Sequence, residues 1–504
     1  MKTEVSTSQQ KSFFRKKPLY LFEQDIKKNE LRKVLGKWSL TAIGIGAVIG
    51  GGIFVFTGTA AHYHAGPALA LSFVIAGIGC VFAALCYSEF ASMLPVEGSA
   101  YAYAYGTVGE LFAWVIGWGL VLEYAMGAMT VAVSWSGYFV KLVHLLGFDI
   151  PFWLRNDPFS ANIYAQQAGL EKPMFALNLP ALLIVWVVTY ILVKGIKEAA
   201  GANNLIVVLK VTAVLFVIIV GIFYVVPSNW HPFVPEASII NGEDGTPRQA
   251  YGWGGIVSGA SAIFFAYIGF DAVSTQASEA VNPRKDIPFA IIVSLIFCTV
   301  LYLLVSIVLT GMINYKEIVG EALKAPVAYA FDKVGQTWAV YIITFAATAG
   351  LISVMLVMML GQTRVFLSMS KDGLLPSFFH SIHPRFKTPW KSTLLVGLIV
   401  SLVAALTPID VLGEMTSFGT LFAFAIVCIA VWLLRKREPE RERPFRVPAI
   451  NIIAPLGLIL NTILIWQLSA LSKQLAIGWL LLGLIIYFGY GRKNSHLNKI
   501  ELND

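Results

Sequence analysis

Ionisable side chains deep inside apolar runs are the residues of this sequence best placed to do chemistry. Lys210, Glu123 and Asp271 each occupy such a run, where a charge is costly and marks a function by default. Lys210 stands about six residues into its run, roughly 9 Å along a helix. Its ammonium can snorkel to the surface or stay buried and serve a site. Glu123 and Asp271 can accept from freed backbone N–H groups or carry protons. Glu279, Arg284, Asp286 and Arg364 lie nearer an interface, as a salt-bridged gate or as solvated charges. No nucleophile–base or metal constellation is present, since all seven histidines fall outside the cores of the apolar runs. His62-x-His64 could hold a metal, but reads more simply as a pair of exposed loop histidines. Cys80, Cys86, Cys298 and Cys428 lie in apolar segments with no CxxC spacing, so neither a disulfide framework nor a zinc site is expected. These readings weigh against an enzyme, and no cofactor or metal is expected.

Glycines point to a second kind of chemistry, done by backbone. Residues 44–52 hold five glycines in nine positions, each costing about 1 kcal/mol against alanine in a helix interior. Such a segment can leave the helix and bare its N–H and C=O groups, which hydrocarbon tolerates only against protein, ligand or a watery cavity. The alternative is close helix packing of the small-xxx-small kind, for which Gly46 and Gly50 qualify. A second interruption is expected where Gly252, Gly254, Gly255 and Gly259 lead into Phe264–Phe265–Ala266–Tyr267–Ile268–Gly269–Phe270–Asp271. Interrupted segments at corresponding positions of two halves point to a transporter with inverted repeats and a midplane site.

The elements that must position these residues are membrane spans. A chain of 504 residues, 57% hydrophobic and only 13% charged, departs from soluble composition, in which about a quarter of residues are charged. At about 20 apolar residues per span, twelve runs qualify: 39–61, 66–92, 106–140, 178–195, 203–226, 252–277, 288–312, 338–366, 392–406, 412–434, 449–470 and 474–490. With both termini cytoplasmic, 28 of the 37 lysines and arginines fall in cytoplasmic segments and 8 outside, Lys210 lying within a span. That asymmetry sets the orientation and makes a nucleic-acid partner unnecessary. Residues 1–38 read as a cytoplasmic tail without a cleaved signal peptide. Residues 39–226 and 252–434 form two five-span halves, 449–490 two peripheral spans and 491–504 a cytoplasmic C-terminal tail. The outer segments 141–177 and 227–251 are expected to be irregular, and 316–334 a short surface helix pair interrupted by Pro326.

Six motifs in order carry a resemblance over nearly the whole chain: GAVIGGGIF at 46–54, PVEGSAY at 95–101, FFAYIGFD at 264–271, EAVNPRKDIP at 279–288, QTR at 362–364 and RPFRVP at 443–448. The sequence resembles the amino acid–polyamine–organocation transporters, specifically bacterial members of the cationic amino acid transporter subfamily. The resemblance implies an all-α polytopic membrane protein of LeuT-like fold, a 5+5 inverted repeat with broken helices one and six plus two peripheral spans. It implies secondary active amino acid uptake at the plasma membrane. Gly51 departs from relatives that often carry Ser or Thr there, and Lys371 from the usual arginine before Asp372–Gly373.

In that framework a half-helix N-terminus at Gly50, Gly51 and Gly52 would take the substrate carboxylate. Carbonyls near Ile43, Phe265, Ala266 and Ile268 would take the ammonium, and Phe265 and Tyr267 could gate. Sodium-independent relatives place a lysine at the position of Lys210, where sodium-coupled carriers bind sodium. A desolvated lysine can release its proton, so a proton gradient is the expected driving force. Ser353 would flank the same place. The expected lining by Ser353, Met355 and Met358 is apolar and bulky, favouring small to moderate neutral amino acids over arginine and lysine. A polyamine or amino acid exchanger, a cationic permease and a non-transporting sensor stand as alternatives. A channel would want a continuous polar pore, which is not visible. Besides substrate and membrane lipid, the sequence indicates no partner and is silent on oligomeric state.

Overall fold

The computed structural model describes residues 15–18, 35–93, 99–195, 199–241, 247–276 and 280–501. Among these, nine helical runs are long and apolar enough to cross a membrane, and Leu179–Lys194 and Trp390–Leu406 are shorter apolar helices. Hydrocarbon offers backbone groups no partner but one another, so apolar runs of this length close their hydrogen bonds as helices. The first span is Lys37–Val48 followed, after a break, by helical turns over 52–65, of which Gly52–Phe56 and Ala61–Ala65 are π-helical. A turn at Gly66 (φ 60°) leads into the second span, Leu69–Met93. The third to fifth spans are Glu110–Leu145, Leu179–Lys194 and Ala199–Gly221. The sixth is Gly252–Ala262 continued by the 3₁₀ turns Ile263–Tyr267 and Phe270–Gln276. Pro283–Met312, Thr337–Lys371, Trp390–Leu406 and Ile409–Arg437 are the seventh to tenth, and Ile450–Gln467 and Ala470–Ile486 the last two.

Packing follows a rule that the hydropathy pattern does not contain. The second span lies along the seventh, the third along the eighth and the fourth along the ninth, while the broken middles of the first and sixth meet. The first four spans thus each pack on the one five places later, the pattern an inverted five-span repeat produces. Two further spans sit on the outside of this bundle, the eleventh against the tenth and second, the twelfth against the tenth and third. The last contact is aromatic: Trp118 stacks on Trp114 and on Trp479, at ring separations of 5.7 and 4.6 Å.

The connections on the face away from the termini are more ordered than composition suggested. Instead of irregular chain, 141–177 contains the helices Phe152–Arg155 and Pro158–Gln167, the second capped by Asp157, whose carboxylate accepts from Phe159 and Ser160 N–H at 3.0 Å. The segment 227–251 contains an antiparallel pair, Ser238–Asn241 with Pro247–Ala250. Between the seventh and eighth spans lie Tyr315–Glu317, Glu321–Lys324 and Pro326–Lys333. Pro326 opens a helix there rather than interrupting one, because the first turn needs no N–H from it.

Candidate substrate and coupling site

Two breaks meet at the centre of the bundle. In the first span the helix stops at Val48, Ile49 is extended (ψ 103°), and the chain restarts at Gly52. A restart leaves the leading N–H groups, those around Gly50 to Gly52, without intrahelical acceptors and turns a positive dipole end toward the break. In the sixth span the 3₁₀ turn ends at Tyr267, Ile268 is extended (ψ 142°) and Gly269 takes φ 111°, open only to glycine at low cost. The breaks touch: a Cβ on Gly52 would lie 2.2 Å from Ala266 Cα, and one on Gly269 would lie 2.8 Å from Ala47 O.

The carbonyls freed at the first break are held by side chains from two other spans. Lys210 of the fifth span is buried, and its Nζ donates to Gly46 O and, at 3.0 Å, to Ile49 O. Its ammonium does not snorkel. Tyr302 of the seventh span donates from its hydroxyl to Val48 O at 2.8 Å. Two glycines let the lysine in. A Cβ on Gly350 would strike Lys210 Cγ at 2.5 Å, and Gly46 lets Val207, on the lysine's own helix, reach the first span with a contact of 2.3 Å to its missing Cβ. Ser353, expected beside the lysine, is buried three residues beyond Gly350, and its hydroxyl turns back to donate to Gly350 O. Neither Gly350 nor Tyr302 stands out in sequence, because nothing local distinguishes them from packing residues.

Other expected site residues fall differently. Ile43 lies inside the intact helix Lys37–Val48, so its carbonyl is not freed; the break begins six residues later. Phe265 O accepts from Ile268 N at 3.3 Å. Phe265 faces Phe56 at 5.0 Å between ring centroids, whereas Tyr267 points into the second span, its hydroxyl donating to Phe73 O at 2.8 Å. In this structure Tyr267 is thus engaged with the second span and does not face Phe56 as Phe265 does. Met358 packs where the third span thins to Gly127, whose Cβ would lie 3.4 Å from its sulfur and 3.6 Å from Thr416. Asp271 is buried and accepts from the Tyr124 hydroxyl at 2.7 Å. Glu123 is equally buried, and among the described residues neither of its carboxylate oxygens has a hydrogen-bond partner.

Residues 35–490 match the family model described as amino acid permease. The chain belongs to that family. The chain is 44% identical to the branched-chain amino acid permease BcaP of Bacillus subtilis (strain 168), over 97% of this chain and 99% of that protein. It is 42% identical to the methylthioribose transporter of the same organism, over 97% and 100%. With the vacuolar cationic amino acid transporter 4 of Arabidopsis thaliana it shares 36% identity over 82% of this chain and 65% of that protein. This permease is accordingly a multi-pass membrane transporter of amino acids and not an enzyme.

At the face that carries both termini, two of the four residues expected to form a gate have partners of their own. Glu279 lies outside the described residues. Asp286 caps its own helix by accepting from Asn282 N at 3.2 Å, and Arg284 reaches Glu442 at 3.7 Å with both side chains largely exposed. Arg364 is half-buried on the eighth span. Further pairs lie at the same face. Arg15, Lys16 and Lys17 each meet a carboxylate from a different element: Glu110 at 3.2 Å, Glu438 at 2.7 Å and Asp372 at 2.9 Å. Buried Glu89 holds Arg435, Arg443 (3.1 Å) and the N–H of Val447 (2.8 Å), which explains the RPFRVP motif as an anchor on the second span. On the opposite face a cavity of about 550 Å³ lies over the restarted half of the first span. Val55, Thr59 and Ser134 form part of its wall, and Lys324 joins Asn156 across it at 2.5 Å.

Proposed function

We propose that this permease takes up small to moderately sized neutral amino acids, branched-chain ones among them, together with protons and without sodium. Alternating access would turn on the two breaks, with the substrate carboxylate on the N–H groups of Gly50 to Gly52. The observation that carries the reading is Lys210, whose amine holds Gly46 O and Ile49 O at the broken end of the first span. Hydrogen bonds from a charged donor are worth about 1.5–3 kcal/mol each. A proton leaving Nζ therefore weakens both attachments of the first span at once, which ties protonation to the shape of the site. Neutral substrates are supported by the apolar Met358 facing Gly127 and Thr416, by the engagement of Asp271 with Tyr124, and by the branched-chain relative. The distribution of lysine and arginine supports an orientation with both termini inside, and a plasma-membrane location is part of the proposal.

Uptake of radiolabelled amino acids into proteoliposomes under an inward proton or sodium gradient tests the proposal, with methylthioribose in the panel because of the second relative. Proton-stimulated, sodium-independent uptake of neutral amino acids, lost in Lys210→Ala while binding persists, is the expected result. Sodium-driven uptake, or full proton coupling in Lys210→Ala, overturns the role of the lysine. Flux seen only with a preloaded lumen would indicate an exchanger.

A further inference from the structure

We infer that Ser134, on the third span, accepts a hydrogen bond from the α-ammonium of the substrate, and that Gly51 lacks a side chain so that this hydroxyl can reach the first break. The inference rests on the substrate reading above.

An amino acid bound through its carboxylate at Gly50 to Gly52 needs an acceptor for its ammonium close by, because N and carboxyl carbon are only about 2.5 Å apart across Cα. An unpaired buried ammonium is expensive. Lys210 already takes one lone pair each of Gly46 O and Ile49 O, and Tyr302 one of Val48 O, and Phe265 O gives one to its own turn. Each of these carbonyls keeps at most one further lone pair, while an ammonium brings three N–H donors, so there is a place for an acceptor beside them.

Ser134 meets the requirement. Its Oγ lies 2.8 Å from the place a Cβ on Gly51 would occupy, directly beside the N–H groups that would take the carboxylate. The hydroxyl proton is spent on Thr130 O at 2.8 Å, and a serine oxygen has two lone pairs, so what remains toward Gly51 is acceptor capacity. That partner must be a donor. Ser134 is only 1% exposed yet lines the cavity on the face away from the termini, so it stands where that cavity meets the first break. Phe265 closes the other side, 3.4 Å from the same Cβ position, and the face of an aromatic ring attracts a cation.

The test compares the preferred amino acid with its desamino analogue, the carboxylic acid of the same skeleton, as competitors in a binding assay on the full-length protein in detergent. For Ser134→Ala, binding of the amino acid should weaken roughly 10-fold or more while binding of the desamino acid changes less than twofold. Gly51→Ala places a methyl against Ser134 Oγ and should also weaken the amino acid. Gly51→Ala with Ser134→Ala removes the clash and should bind the amino acid like Ser134→Ala alone. Equal losses for both ligands in Ser134→Ala would make Ser134 a packing residue and overturn the inference, as would amino acid binding unchanged within twofold. Wild-type protein that binds and transports no amino acid would instead overturn the substrate reading on which it stands.

Discussion

Replacing Gly52 by alanine should separate the two breaks and abolish transport without unfolding the protein. The added Cβ would lie 2.2 Å from Ala266 Cα and 2.4 Å from Ala266 Cβ. Carbon atoms pack at about 3.5–4.0 Å, so the half-helices must part by roughly 1.3 Å or more. Neither atom belongs to a side chain that could rotate away, so the adjustment falls on backbone. Overpacking of this kind costs about 1–3 kcal/mol, a modest loss of stability. A displacement of about 1 Å at a reacting or binding centre costs on the order of 100-fold in rate, and here it strikes the place where both half-helices would contact substrate. Initial uptake rates in proteoliposomes should therefore fall by about two orders of magnitude, with the folded fraction largely retained by size-exclusion and thermal melting. Gly254→Ala is the control on the same sixth span, because a Cβ there meets nothing within 4 Å. Uptake by Gly52→Ala within twofold of wild type would refute the claim that contact between the breaks shapes the site.

Glu89→Ala should cost about 3–5 kcal/mol, since it leaves Arg443, 6% exposed, without its carboxylate and with backbone carbonyls alone as acceptors; a melting temperature unchanged from wild type would contradict this. Glu123→Gln should leave melting unchanged or raised, because the glutamate oxygens are buried and the neighbouring Thr420 hydroxyl donates to Thr416 O, and a clear drop would mean that an ionised carboxylate is held there. Burial pushes the Glu438 carboxyl up, but hydrogen bonds and charges from Lys16 and Arg441 outweigh it and leave it below the ordinary glutamate range. Attachment of Lys16 to Glu438 then has its full strength above the unfolded glutamate value of about 4.3 and is lost as pH falls through the lowered folded value. Limited pepsin digestion of the N-terminal segment should accelerate across that window in wild type, and Glu438→Gln should remove the acceleration.

Glycine density marked the first break, yet the cluster over 44–52 turns out to serve two purposes. Gly44 and Gly46 remain helical and allow Ser294 and Val207 to pack close, at 2.8 and 2.3 Å from their missing Cβ atoms, while the chain actually leaves the helix at Ile49. Both readings of a glycine-rich span therefore hold, one for each half of the cluster, and Ile43 was assigned to the wrong half. Lys210 was legible because a lysine in an apolar run has few other reasons to be there. Its surroundings were not, since Gly46 and Gly350 come from spans far away in the chain and local sequence does not say which helices will touch. The same holds for Glu89 and Glu110. The sequence singles out neither, and only folding brings Arg435 and Arg443 to the one and Arg15 to the other. That Tyr267 points into the second span was not legible, because the direction of a side chain on a 3₁₀ turn depends on the turn's own end, which the sequence does not fix.

Counting the backbone groups at the first break gives the proposed coupling a structural basis. Helix ends inside a membrane must find partners, and here Gly46 O and Ile49 O are satisfied from the fifth span while Val48 O is satisfied from the seventh. The fifth span packs on the eighth and the seventh on the second, and the two also touch each other, so the broken end of the first span is held by two neighbouring helices. A rocking motion that carries the first span with the seventh must stretch the Lys210 bonds, and one that carries it with the fifth must stretch the Tyr302 bond. Tyrosine contributes one neutral donor, whereas lysine contributes up to three donors whose strength depends on its charge. Of the two attachments only the lysine one can be weakened by moving a proton. Under the proposed function, that difference decides which attachment yields first, and it makes the protonation state of Lys210 a control on the direction in which the bundle opens.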